Sequence, residues 1–217
     1  MSEFFNLDSK WVQGLGKIID CVCLSLLWIM CCLPIVTAGT ATTALYYTIN
    51  KVIRHNRGYI WREYWGAFKS NFKQSVLINL ILMVMIAFLT LDCYIMYQLS
   101  MAGDKSGSLY ILFVIFIALV LVWGCYLFPY IARFENKTKL AMKNAALIAI
   151  ANLPWTVVIF VLLCAACLAV FAFPPLIFIM PSLYMLFANI ILEKIFKKYM
   201  SEEDIAEEEE RNREFYN

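Results

Sequence analysis

His55 is the only histidine among the 217 residues, and it sits in the basic stretch KVIRHNRG. A nucleophile–base pair built on histidine would have to use it, and no carboxylate stands by to orient the ring. It reads as an interfacial polar residue. The eight cysteines include Cys21-x-Cys23, Cys31-Cys32 and Cys164-x-x-Cys167. A CxxC pair would matter in a soluble redox or zinc setting. Here the pair lies in an uncharged apolar run with no histidine and no second pair, so the thiols read as small polarizable packing residues. The acids nearest the apolar runs are Asp20, Asp92 and Glu193. Asp92 falls inside a run, near its end, and an intramembrane acid is a functional candidate by default. A hydrated structural role competes with that reading. Nothing resembles paired catalytic carboxylates, a phosphate-binding glycine loop or a metal cluster. No catalytic residue, cofactor or metal is expected.

The elements that must position these residues are apolar. Hydrophobic residues make up 63% of the chain and charged ones only 16%, with a mean hydropathy of +0.73. A soluble domain has roughly 45–50% apolar and about 25% charged residues. Cys21–Asn50, Ser75–Leu91, Leu109–Ala132 and Asn144–Leu192 contain no Asp, Glu, Lys or Arg. A hydrocarbon core needs roughly 20 apolar residues of helix to cross it. Helices alone satisfy their own backbone in lipid, and the alternation of an outer-membrane barrel is absent. The expected fold is all-α: a polytopic transmembrane helical bundle with five spans, over 18–36, 74–95, 109–128, 153–173 and 176–196. Amphipathic helices over 40–55, 60–73 and 138–152 are expected on the cytoplasmic side. Residues 1–198 form one transmembrane domain, and 199–217 an acidic, solvated cytoplasmic tail without a site.

Lysine and arginine set the orientation. Lys51, Arg54, Arg57, Arg62, Lys69 and Lys73 fill the first long connection, Arg133, Lys137, Lys139 and Lys143 the second, and Lys194, Lys197 and Lys198 follow the last span. The opposite side offers Lys105 beside Asp104. The basic segments are therefore expected in the cytoplasm with the C-terminus, and the N-terminus outside. At the N-terminus Lys10 and Lys17 are offset by Glu3, Asp8 and Asp20. A cleavable signal peptide is disfavoured by that acid-bearing leader and by Pro34 at the end of the apolar run. These cations need no nucleic-acid partner, since the positive-inside rule already explains them.

Between Leu33 and Lys73 the first run breaks. Pro34 and Gly39 interrupt the helix, and Thr37 or Thr40 can cap a new one. That helix puts Leu45, Ile49 and Val52 on one face and is too short to span unaided. Two readings stand: a kinked span followed by an interfacial helix, or a half-helix that dips into the membrane and aims its N–H dipoles at a substrate. After Arg57-Gly58, Trp61, Trp65, Phe68 and Phe72 recur at helical spacing, with Arg62, Lys69 and Lys73 on a neighbouring face. Such a ridge suits the headgroup boundary or a partner subunit. In the second connection, a helix leading through Leu153-Pro154 into a span resembles the coupling loop of ABC importer permeases, without that loop's acidic-Ala-Ala…Gly signature.

The stretch LPIVTAGTATTALYYTINKVIRHNRGYIWREYWGAFKSNFKQS, from Leu33 to Ser75, resembles the signature region of YesL-like bacterial membrane proteins, a family of unknown function. Leu33–Thr37, Ala38–Tyr47, Gly58–Lys73 and Asn152–Pro154 carry the likeness. The resemblance implies a bacterial cell membrane location and association with carbohydrate uptake, and it supplies no catalytic residues. The expected function is that of a non-enzymatic accessory or regulatory component. Its partners would be the lipid bilayer and ABC-type sugar transporter subunits. A small transporter or channel subunit, with the broken first helix and Asp92 lining a path, is the alternative.

Overall fold

The computed structural model describes residues 10–213. The leader acids Glu3 and Asp8 and the last tail residues, 214–217, lie outside them. Eight α-helices follow one another: α1 (Lys10–Cys32), α2 (Ala38–Thr48), α3 (Ile60–Met101), α4 (Tyr110–Arg133), α5 (Thr138–Ala151), α6 (Leu153–Ala172), α7 (Met180–Phe196) and α8 (Glu202–Arg213). No strand occurs among the described residues. Among the described residues, four stretches are long and apolar enough to cross a membrane: Gly14–Cys32, Ile60–Met101, Ser106–Arg133 and Leu153–Ala172. Their flanks expose Val84, Phe88, Leu168 and Phe171, as a surface solvated by lipid tails permits. The protein is a polytopic helical membrane bundle.

Three expectations change. The fifth span, over 176–196, is not one long rod. Pro174–Phe178 forms a separate 3-10 turn, because consecutive prolines withhold backbone donors. The helix that follows, α7, has 17 residues, about 26 Å of rise, and with the turn before it returns the chain to the end of the bundle where Glu193 meets Arg133. It is an inner helix, with Ser182, Asn189, Leu192 and Phe196 wholly buried.

Second, 60–73 is not a separate interfacial helix. Ile60–Met101 is one uninterrupted helix of 42 residues, about 63 Å long. No proline falls within it, so nothing ends the helix where the polar ridge meets the apolar run.

Third, 40–55 is not an amphipathic surface helix. Gly39, Thr40, Ala41, Thr43, Ala44, Leu45, Tyr46 and Thr48 of α2 are all buried. Three of its threonines bond back to the helix itself: Thr42 to the Ala38 carbonyl at 2.8 Å, Thr43 to Gly39 at 3.0 Å and Thr48 to Ala44 at 2.8 Å, while the buried Thr40 hydroxyl has no partner. Satisfied in this way, the three pack as small side chains.

The break before α2 lies at 33–37, where Pro34 is extended (φ −77°, ψ 105°). Asn79 of α3 donates to the freed Ile35 and Val36 carbonyls at 2.9 and 3.0 Å. Gly39 is not part of the break. It sits in the first turn of α2, where an added Cβ would stand 2.7 Å from Phe128 Cζ and 2.9 Å from Asn79 Cβ. Its smallness lets α2 press against α3 and α4. The pairs Gly39/Asn79, Thr43/Ser75 and Lys51/Glu63 make α2 and the first half of α3 an antiparallel hairpin. Further polar ties cross the bundle. Ser25 meets Ser182 at 2.8 Å, Trp28 donates to Thr42 at 3.1 Å, and Tyr126 meets Thr156 at 2.8 Å. In lipid such bonds add to packing, since apolar contact between helices gains little over contact with tails. Helix α5 buries Ala141, Ala145, Ile148 and Ala149 along one face and exposes Leu140, Leu147 and Ile150.

Candidate functional site

Where α2, α4 and α7 meet at the basic end of the bundle, the structure buries a carboxylate. Glu193 is 4% exposed. Tyr46 Oη donates to its Oε1 at 2.7 Å and Asn50 Nδ2 at 3.2 Å, while Arg133 Nε lies 3.3 Å from its Oε2. Burial pushes the Tyr46 hydroxyl well above its ordinary pKa, and the neighbouring Glu193 adds to the rise. Tyr46 thus remains a donor at any physiological pH. Arg133 also pairs through Nη2 with Glu208 of α8. Arg54 donates to the buried Asn189 of α7 at 2.6 Å. A buried charge is tolerable only when paired and hydrogen-bonded, and both conditions hold here.

Above this layer opens a polar cavity of about 1160 Å³. Its walls come from the end of α2 and the following turn (Tyr46, Tyr47, Asn50, Lys51, Arg57), the first half of α3 (Glu63, Ser70, Asn71, Gln74), the α4–α5 connection (Arg133, Glu135, Asn136, Lys137) and Glu208. The turn 49–54 is wound as a π-helix, a feature that often re-aims side chains at working sites. It presents Asn50 and Lys51 to the cavity. His55 Nδ1 stands 2.6 Å from the Asn50 carbonyl. A carbonyl only accepts, so that nitrogen carries the proton, and the lone histidine tethers the turn. Lys51 binds Glu63 at 2.7 Å and Tyr47 at 3.3 Å. Burial pulls the Lys51 ammonium down, but Glu63 and Tyr47 outweigh it and hold it above its usual value.

A second cavity, of about 710 Å³, is lined mainly by apolar side chains of α3, α4, α6 and α7, with Trp28, Thr42 and Leu45. Consecutive turns of α2 therefore border different surroundings. Thr42 and Leu45 face the apolar cavity, and Tyr46, Tyr47 and Asn50 the polar one.

The aromatic ridge exists as a chain of ring contacts: Trp61–Trp65 at 6.0 Å, Trp65–Phe68 at 5.4 Å and Phe68–Phe72 at 5.7 Å between centroids. Trp61 and Phe72 are exposed, Trp65 and Phe68 half-buried, and Arg62, Lys69 and Lys73 exposed alongside. Asp92 is half-buried and lines neither cavity. Cys164 and Cys167 are exposed and free, and the other cysteines are free too. Among the described residues, no group of three or more His, Cys, Asp or Glu is placed to hold a metal ion.

With this geometry in view, residues 21–93 match a family model described as a protein of unknown function, DUF624. The match covers about a third of the chain. It takes in α2, its break, the 49–54 turn, and α3 as far as Cys93. No curated protein and no solved structure matches.

The site differs from the sequence expectation. The sequence points to the ridge, gives Arg133 only as an orienting cation and Glu193 only as an acid near a run, and carries no signal for Tyr46 or Asn50. The tail was expected to be merely solvated. Instead Glu208 is 5% exposed and reaches Arg133. Ser201 fixes the start of α8 by accepting from the Asp204 N–H at 3.1 Å. The available signal was an acid-rich helix following a lysine cluster, which can fold back on it.

Proposed function

We propose that this is a non-enzymatic integral membrane protein of the YesL-like kind, resident in a bacterial cell membrane. It acts as an accessory or regulatory component beside a carbohydrate uptake system, with ABC-type sugar transporter subunits as partners. In this reading the basic end and the C-terminus lie in the cytoplasm and the N-terminus outside. The observation that carries it is the unbroken α3. At 42 residues and about 63 Å, it runs well beyond a hydrocarbon core of about 30 Å. Its excess holds exposed Trp61, Arg62 and Lys69 on a stiff, packed helix. An exposed aromatic and arginine set on a rigid element is the composition of an interface hot spot. Purification from native membranes tests the reading. The wild type brings down a transporter subunit, and the Trp61→Ala, Trp65→Ala double variant loses it at least tenfold. Recovery of the wild-type protein alone would sink the idea.

A small transporter or channel subunit is the second reading, favoured by the two cavities along α2. The path in that case passes Tyr46 rather than Asp92. Flux of sugars or ions into liposomes, altered by Tyr46→Phe and unchanged by Asp92→Asn, is the expected result. Absence of flux across a broad solute panel removes it.

A further inference from the structure

The polar cavity carries an imbalance of commitments. Lys51 is taken by Glu63. Arg133 is taken by Glu193 and Glu208. Arg57 and Lys137 also line the cavity, and neither forms an ion pair among the described residues. The Arg57 Nε is sealed from solvent and has no hydrogen-bond partner, and neither does the enclosed Asn50 Oδ1. A buried donor left empty is costly, and such a group calls for an explanation by an unseen occupant. Among the described residues, Glu135 on the wall forms no ion pair.

Into this cavity the chain sends its own carboxylate. Helix α8 carries seven acids in 12 residues, and only Glu208 among them lines the cavity. Its pair with Arg133 is largely buried, at 7% and 17% side-chain exposure. The neighbouring Lys197–Glu209 pair, at 3.7 Å, is open to solvent at 39% and 52% and so contributes little. The buried ion pair of the tail thus sits inside a site that has further cationic donors to spare.

We infer that the cavity is a binding site for a phosphate- or carboxylate-bearing anion, and that Glu208 is its resident, displaceable occupant. Arg133, Arg57 and Lys137 supply the charge. Ser70, Asn71, Gln74 and Asn50 supply neutral donors and acceptors for the rest of the ligand. A tethered group competes at an effective concentration of about millimolar. A free anion therefore displaces Glu208 at millimolar levels or below, by engaging Arg57 and Lys137, which the tail leaves unused. Release of α8 follows binding. The site is independent of the partner proposed for the aromatic ridge.

The test uses the full chain in nanodiscs, with inorganic phosphate as probe, read by calorimetry and by amide exchange over 202–213. In zwitterionic lipid, phosphate binds the wild type and speeds exchange in α8. Glu208→Gln tightens phosphate binding about tenfold, and the Arg57→Gln, Lys137→Gln double variant weakens it at least tenfold. Arg133 is left intact, because its loss would strand Glu193. A second arm uses phosphatidylglycerol nanodiscs without added phosphate. Faster α8 exchange there, with phosphate binding blocked, assigns the anion to a lipid headgroup. Unchanged exchange there assigns it to a soluble ligand. The inference is overturned if Glu208→Gln binds no phosphate at tens of millimolar in either lipid and shows no lipid-dependent exchange. It is equally overturned if binding ignores the Arg57, Lys137 substitutions.

Discussion

Glu193 is a carboxylate that folding takes out of water, and Tyr46, Asn50 and Arg133 make that possible. A hydrogen bond to a charged group is worth about 1.5–3 kcal/mol. Tyr46→Phe should therefore lower the unfolding free energy by about that much, visible as a reduced thermal midpoint in detergent. Arg133→Ala should cost more, about 3–5 kcal/mol, because it leaves Glu193 buried and unpaired. An Arg133 effect no larger than that of Tyr46 would mean the carboxylate is hydrated. Gly39→Ala tests the close approach of α2. Phe128 and Asn79 stand within 2.9 Å of the new methyl, and overpacking of this kind costs about 1–3 kcal/mol. None of these partners was legible in the sequence. Tyr46, Arg133 and Glu193 lie far apart along the chain, so no periodicity links them. Asp92 drew the eye because it interrupts an apolar run, but interruption marks a residue without saying what it faces.

Helices were easier to read than their placement. Uncharged runs and the prolines at 34, 154 and 174–175 located the helices, since composition and donor loss act locally. Whether 38–48 would lie flat or be buried depended on Thr42, Thr43 and Thr48 satisfying themselves within the helix, which residue type alone does not reveal. Asn79 is the element-scale counterpart, since it completes the break at 33–37 from a different helix. Asn79→Leu should strand the Ile35 and Val36 carbonyls and cost about 1–3 kcal/mol, with faster amide exchange concentrated at the start of α2. The ridge behaves oppositely. Trp61 is 65% exposed, so Trp61→Ala should leave the thermal midpoint nearly unchanged, within about 0.5 kcal/mol, while weakening any capture of a partner.

For the whole molecule, the acidic tail reaches back 75 residues to α4 through Glu208 and Arg133. Deleting 201–217 should leave the span amides protected and raise exchange at 46–51 and 131–137, the walls that Glu208 helps close. Unchanged exchange there would show that the tail does not cover the cavity. The length of α3 has a mechanical consequence. Its C-terminal end meets α4 through the Tyr97–Tyr110 ring contact at 5.8 Å, and near its middle it is clasped at Asn79. A helix free of breaks moves as one rod, so its two ends shift together. With about 33 Å between Asn79 and Met101, a tilt of about 5° shifts the far end by about 3 Å. A force applied at Trp61 is thus felt at the far end, where Tyr97 meets Tyr110.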